Sequence, residues 1–398
     1  MTRNHAFPTI TGRGMYVPDD VLTNQDVAAV AEPARLGAWI RDNKWCQKRW
    51  QELRADPASA SLEDAEAHRL LFRAYVDDRI GIHSRRVVDR RAILEGRCPE
   101  AGLYGADLGL RAAERALAEA GVDAADLDVV ICGTSSPDRI YPATAVEIQE
   151  RLGARAAYAY DLLAACSSFV YGLEMARGLI LAGLCRRALI VAAEYFSCGV
   201  DYGDPHNSFF WGDAGAAAVV ESAGLARGRG GYELLDSHCR SHFSDNIRTG
   251  LGGTRPFMAL SRNGQGPPGD HEPGGAAYRF FYQNGPMVYR EVIPLAARAT
   301  DAILQRNGLA VDDVRLFMFH QASALVIDGL KRRLFREEPA PDRVPLNLAR
   351  YGNTSSCGVA ICLAEEEVMR PGEIACMTAF GAGYTVGAAL LRKAGLAE

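Results

Sequence analysis

Short, uninterrupted apolar runs recur along the chain at Val129–Cys132, Ala188–Ala192, Ala216–Val220, Leu316–Phe319, Ile374–Thr378 and Ala388–Leu391. Each is too short for a buried helix and suits a strand covered on both faces. Between them, apolar positions fall at helical spacing over Asp107–Ala120, Ser168–Ala182 and Val292–Arg306. Strands alternating with helices predict an α/β architecture with buried sheets.

The pattern also repeats. ALIVAAEY precedes GDAGAAAVVE in the first part of the chain, and IACMTAFGAG leads into YTVGAALLRK in the second. Likewise Ala165-Cys166-Ser167-Ser168 opens one helix, and Asn353-Thr354-Ser355-Ser356 opens its counterpart. Small-residue runs recur by chance in α/β proteins, but two matched pairs favour a duplicated half. The boundary expected is near residue 225, giving units 1–225 and 226–398. Two segments break the pattern. Residues 34–78 read as an inserted helical stretch and hold Trp39, Trp45 and Trp50, three of the four tryptophans. These either form a lid or pack the inserted helices, and packing is the better-supported reading. Residues 245–275 are rich in Gly and Pro and predict a surface loop.

Composition narrows the function classes. A chain of 398 residues, 48% hydrophobic and 23% charged, is an ordinary globular sequence with room for a large core. A net charge of −5 offers no basic surface for nucleic acid. No run reaches the ~18–20 apolar residues that span a bilayer, and the N-terminus lacks an apolar signal core. Ten cysteines without a CxxC pair read as reduced thiols, so a cytoplasmic location is expected.

Four segments could carry chemistry. Cys166, in DLLAACSSF, sits where a strand-like run meets a helix. A thiol there meets unpaired N–H groups and the positive helix end, which favour thiolate; a buried structural cysteine is the alternative. His320 follows the run Leu316–Phe319 directly, a position at the end of a strand that can enter a cleft or be hydrogen-bonded in the core. Asn353, in YGNTSSCG, reads by itself as a turn or helix cap. In FGAGYTVG, residues 380–387, glycines let backbone N–H groups approach a substrate oxygen, or simply form a tight hairpin.

In this order the motifs DLLAAC, FHQAS, YGNTSS and AFGAGYTVGA resemble the ketoacyl synthase III branch of the thiolase-like condensing enzymes, and the likeness extends from ITGRGMYVPDDVLTN through RIGIHSRR, YPATAVEIQERLG and WGDAGAAAVV. The resemblance implies a thiolase-like, five-layer αβαβα sandwich. It implies that Cys166 takes an acyl group from a thioester and that His320 and Asn353 hydrogen-bond the carbonyl of a malonyl-type unit. The oxyanion hole would be the backbone N–H groups of Cys166 and Ala382. Tyr141, supplied by the partner of a homodimer, and Phe210 would shape the acyl pocket. Tyr75, Arg79, Arg332 and Arg333 would serve coenzyme A or the carrier. The substrates implied are acyl-coenzyme A and phosphopantetheine-linked acyl carrier protein, with no metal and no tightly bound cofactor.

The branch is also marked. Degradative thiolases carry a second cysteine where this chain has Tyr384, and elongating synthases have a second histidine where it has Asn353. The expected reaction is decarboxylative Claisen condensation; the alternatives are non-decarboxylative condensation of two thioesters and acyl transfer to an alcohol or amine. An inactive partner subunit is disfavoured because all three polar residues are present. The insertion at 34–78, the loop at 245–275 and Leu325 in place of the usual carrier-docking arginine depart from the family pattern. They suit a specialised fatty-acid or polyketide pathway.

Overall fold

The computed structural model describes residues 7–97, 103–244, 246–248 and 281–396. The loop predicted over 245–275 therefore lies outside the described residues except for 246–248.

Nine strands carry the fold: β1 (Thr9–Tyr16), β2 (Val129–Gly133), β3 (Tyr158–Leu162), β4 (Arg187–Glu194), β5 (Ala214–Glu221), β6 (Arg229–Ser244), β7 (Val314–Phe319), β8 (Ile374–Gly381) and β9 (Gly383–Leu396). Every predicted apolar run is among them. The helices that position the site are α1 (Pro33–Asp42), α2 (Lys44–Ala55), α3 (Asp64–Tyr75), α4 (Gly105–Ala120), α5 (Thr144–Leu152), α6 (Ser168–Leu181), α7 (Gly285–Arg306), α8 (Ala324–Leu334) and α9 (Cys357–Ala364).

Hydrogen bonding orders the strands β7-β8-β9-β6-β1-β5-β4-β2-β3. The ladder is mixed. β2 runs parallel to β3 and β4, β7 runs parallel to β8, and the remaining pairs are antiparallel. Among the described residues, the strand pairing that joins β3-β2-β4-β5-β1 to β6-β9-β8-β7 is short, Thr9↔Glu233 and Ile10↔Tyr232. They are two sheets joined at a seam.

Side-chain alternation along the strands defines the layers. Val130, Cys132, Leu189 and Val191 pack with α4 and α5 on one side of the first sheet. Val129, Ile131, Ile190 and Ala192 face the other way, onto Phe169 and Leu173 of α6 and Val359 and Ile361 of α9. Leu316, Met318, Ala375 and Met377 of the second sheet meet the same two helices. Their neighbours Phe317, Phe319 and Cys376 turn outward to α7 and α8. The order is helix, sheet, helix, sheet, helix: the five-layer αβαβα sandwich of a thiolase-like fold. The boundary read near 225 falls in the short helix Ala223–Ala226 between β5 and β6. We propose the division into halves there because the strands before and after it belong to different sheets.

Residues 34–78 are helical, as expected, and form α1 to α3 in a hairpin-like stack. Their tryptophans mostly pack the insertion itself. Trp39 meets Phe72 and Tyr75 edge-on at centroid distances of 5.5 and 5.0 Å. Trp45 meets Tyr75 at 5.7 Å, and Trp50 stacks on His68 at 5.1 Å. Among the described residues no helix is long and apolar enough to cross a membrane.

Candidate active site

Three chain turns converge on one cavity. The first follows β3. Ala165 adopts φ 48°, a left-handed conformation rare for a residue with a Cβ, and Cys166 lies in the short turn Ala165–Ser167 that opens α6. The turn is pinned to the β8–β9 hairpin, because Thr385 Oγ1 donates to the Ala164 carbonyl at 2.6 Å. Gly381 closes the arrangement. A Cβ at this position would lie 2.6 Å from the backbone nitrogen of Cys166 and 2.9 Å from Ala165 Cβ, so only glycine lets the end of β8 reach the thiol turn.

The second turn follows β7. His320 is 2% exposed, its backbone N–H donates to the Thr378 carbonyl at 2.9 Å, and its ring stands edge-on to Phe380 at 5.0 Å. Its Nδ1 has no hydrogen-bond partner among the described residues. The third turn precedes α9. Asn353 Oδ1 accepts from the Ser355 N–H at 2.9 Å, and the Ser355 hydroxyl donates to Cys166 Sγ at 3.4 Å. The Asn353 backbone also receives the Phe210–Trp211 segment: its N–H donates to Phe210 O at 2.7 Å and its carbonyl accepts from Gly212 N–H at 3.1 Å. The turn role expected of an asparagine is thus present, but the residue also faces a cavity.

That cavity has a volume of about 950 Å³, and Cys166, His320 and Asn353 all line it. So do Ala382, Phe210, Tyr75, Arg79 and Arg332. Arg333 and Tyr141 do not; Tyr141 lies elsewhere on the surface and is 83% exposed. Trp39 of the insertion also reaches the wall, so the inserted helices pack and shape the cavity together. Tyr384, at the position where thiolases place a second cysteine, is buried and donates its hydroxyl to Glu291 at 2.8 Å.

Electrostatics correct one expectation. A helix start was expected to lower the Cys166 pKa, but burial pushes the thiol up to about 12, with the Ser355 hydrogen bond opposing and the Glu194 charge reinforcing the rise. Cys166 precedes the α-helix within a tight turn, and desolvation outweighs the helix-end field. Burial acts oppositely on His320 and pulls it down to about 3, which keeps the imidazole neutral. The site rests as a neutral thiol beside a neutral imidazole.

Two contributors were not read from sequence. Ser355 is one; its only signal was membership of the NTSS run. Glu194 is the other, fully buried at the end of β4. It accepts from Ser356 Oγ at 2.6 Å, Ser136 Oγ at 2.9 Å and the Ser135 N–H at 3.0 Å, and burial raises its pKa. This carboxylate fastens the segment before α9 to the loop after β2. A charged residue ending the apolar run ALIVAAE was the available clue.

Known proteins resemble this chain over most of its length. The family model for 3-oxoacyl-[acyl-carrier-protein (ACP)] synthase III matches residues 160–242, and the model for its C-terminal part matches residues 304–393. The β-ketoacyl-[acyl-carrier-protein] synthase III of Roseiflexus castenholzii is 32% identical over 390 residues, 97% of this chain and 98% of that protein. The β-ketodecanoyl-[acyl-carrier-protein] synthase of Pseudomonas aeruginosa is 32% identical over 330 residues, 80% of this chain and 91% of that protein. A crystal structure of the synthase III of Thermus thermophilus superposes with a TM-score of 0.72 at 28% identity, covering 98% of this chain and all of that one (100%). The protein is a thiolase-like acyltransferase. Within that class, it belongs to the β-ketoacyl-[acyl-carrier-protein] synthase III family.

Proposed function

We propose that the chain loads an acyl group from acyl-coenzyme A or an acyl carrier protein onto Cys166, then condenses it with a malonyl-type thioester. The observation that carries this reading is the convergence of Cys166, His320 and Asn353 on one cavity. In the first half-reaction the sulfur attacks the acyl carbonyl, the old C–S bond breaks, and the thiol proton leaves with the departing thiol. A thiol pushed up to about 12 does not ionise in advance, so proton loss accompanies attack.

In the second half-reaction the malonyl carboxylate departs as carbon dioxide, and its bonding electron pair becomes an enolate. A neutral imidazole keeps one N–H, and the Asn353 carboxamide supplies another donor; both stabilise the enolate oxygen. The enolate carbon attacks the acyl-cysteine carbonyl, and the tetrahedral oxygen is received by the backbone N–H groups of Cys166 and Ala382. Such donors are worth ~3–4 kcal/mol at the transition state. The C–S bond then breaks with its electron pair going to sulfur, the Cys166 thiolate takes a proton from water to restore the thiol, and the product is a β-ketoacyl thioester. No metal or bound cofactor is needed for any of these steps. The test is direct. Intact-mass spectrometry after incubation with a panel of acyl thioesters should show one acyl adduct per chain on Cys166, and malonyl thioester should then release carbon dioxide with formation of a β-ketoacyl product. An adduct that passes to alcohols or amines but never to malonate would favour acyl transfer instead.

The same reading includes a cytoplasmic homodimer. β3 forms the edge of its sheet, and beside it Leu163 and Tyr141 are 77% and 83% exposed, a run of apolar surface that a second copy would cover. Tyr141 of one copy would then reach the acyl pocket of the other. Tyr141→Ala is expected to shift the preferred acyl length by at least two carbons in a chain-length series read by initial rates. An unchanged preference removes Tyr141 from the pocket. Arg79 and Arg332, both exposed at the cavity, are the cations proposed to meet coenzyme A phosphates or an acidic carrier, with the exposed Arg333 next to Arg332 in the chain.

A further inference from the structure

Two buried donors on the cavity wall have no partner among the described residues. Trp211 is 3% exposed, yet its indole Nε1 makes no hydrogen bond to any of them, and the Ser135 hydroxyl is likewise buried and unpaired there. Both residues line the cavity that holds Cys166. Buried indole N–H and hydroxyl groups ordinarily find acceptors, because leaving them unmade forfeits the hydration they gave up. The two stand on one wall. The Phe196 ring stacks on Trp211 at 4.2 Å, and the N–H of its neighbour Tyr195 donates to Ser136 Oγ at 2.7 Å, which places the Ser135 loop beside the same aromatic cluster. Phe281 meets the Trp211 ring edge-on at 4.5 Å, so the wall is otherwise apolar and aromatic. Trp211 also pairs by a backbone bridge with Asn353, so the wall adjoins the reacting centre.

An aromatic wall alone would suit a plain alkyl chain. Two unpaired donors set into it do not. We propose that the acyl group carried on Cys166 bears a neutral acceptor oxygen, a keto or hydroxyl group, which takes hydrogen bonds from Trp211 Nε1 and Ser135 Oγ. The oxygen is neutral because both donors are themselves uncharged and a carboxyl group stands directly behind one of them. Glu194, fully buried, accepts from the Ser135 N–H at 3.0 Å, and Asp213, also fully buried, lies just past Trp211 in the chain. A carboxylate bound at Ser135 would lie close to Glu194 in a water-poor interior. Sites built to hydrogen-bond a polar group discriminate strongly against analogues that lack it, since the protein's own donors are then left unpaired.

This inference rests on acyl loading at Cys166 and names the acyl class. The experiment compares octanoyl-coenzyme A with hydroxy- and keto-octanoyl-coenzyme A in which the oxygen is moved carbon by carbon. The readout is the single-turnover rate of Cys166 acylation by mass spectrometry, in wild type, Trp211→Phe and Ser135→Ala. At one oxygen position wild type should load the oxygenated donor at least tenfold faster than octanoyl, about 1.4 kcal/mol. Each variant should bring that ratio toward one, with thermal melts confirming that both fold. A wild-type ratio of one or below at every position means that water satisfies these donors, and it overturns the proposal. So does a ratio that survives in both variants, or faster loading of a terminal dicarboxyl analogue. Should neither acyl-coenzyme A nor the same acyl groups on an acyl carrier protein label Cys166, the functional reading itself fails; efficient octanoyl loading without an oxygen preference sinks this inference alone.

Discussion

Cys166→Ala should lose acyl-enzyme formation completely and lower condensation by on the order of 10⁴-fold or more, while malonyl thioester is still decarboxylated. The reason lies in how the site divides its work. Loading requires a sulfur, and alanine offers none. Decarboxylation requires donors to the thioester oxygen, and in the proposed mechanism these are His320 and Asn353, on turns after β7 and before α9. Removing Sγ deletes the partner of the Ser355 hydroxyl but leaves the Asn353–Ser355 hydrogen bond in place. The check is parallel measurement of the acyl mass adduct and of carbon dioxide release. A variant that still condenses at a tenth of the wild-type rate would remove the nucleophile from Cys166.

Much of this was legible in the sequence for a physical reason. Strands buried on both faces must be apolar throughout, so the six runs marked sheet positions directly, and each lies within a strand. Polar residues directly after such runs have little choice but the sheet edge, which is why His320 stood out. Other features were illegible because they depend on distant contacts. Nothing local told that Gly381 must be bare to admit the Cys166 nitrogen, or that Glu194 would gather Ser135, Ser136 and Ser356 from two other segments. The thiol's ionisation was misjudged for the same reason. A helix start can be read from sequence, but the depth of burial that overrides it cannot.

The insertion shows the opposite limit. Its helical character and its tryptophans were visible, yet whether they cover the cavity or pack each other depends on which faces meet. Trp45 and Trp50 turn to Tyr75 and His68, whereas Trp39 both packs on Phe72 and reaches the cavity wall. Packing and lining are one arrangement here. α3 carries Tyr75 to the same wall, where its ring also meets Phe209 at 6.3 Å. The inserted helices thus line the cavity that holds Cys166 as well as packing on one another.

His320→Ala carries the second large expected effect, with the reverse signature of Cys166→Ala. The acyl adduct should still form, while decarboxylation and condensation both fall by roughly 10²–10³-fold, the usual effect of losing one oxyanion donor. Stability should change in a way that reports the imidazole's state. Its pKa is about 3 in the folded protein and about 6.5 when unfolded, so between these values the unfolded chain binds the extra proton. Stability from this group is therefore present above pH 6.5 and lost as pH falls toward 3, amounting to about 2 kcal/mol at pH 5. Denaturant titrations at pH 7 and pH 5 should show wild type losing more stability than His320→Ala by about that amount. Equal losses would mean that the imidazole is already solvated or charged in the native state. It would then no longer be the neutral donor that the decarboxylation step requires.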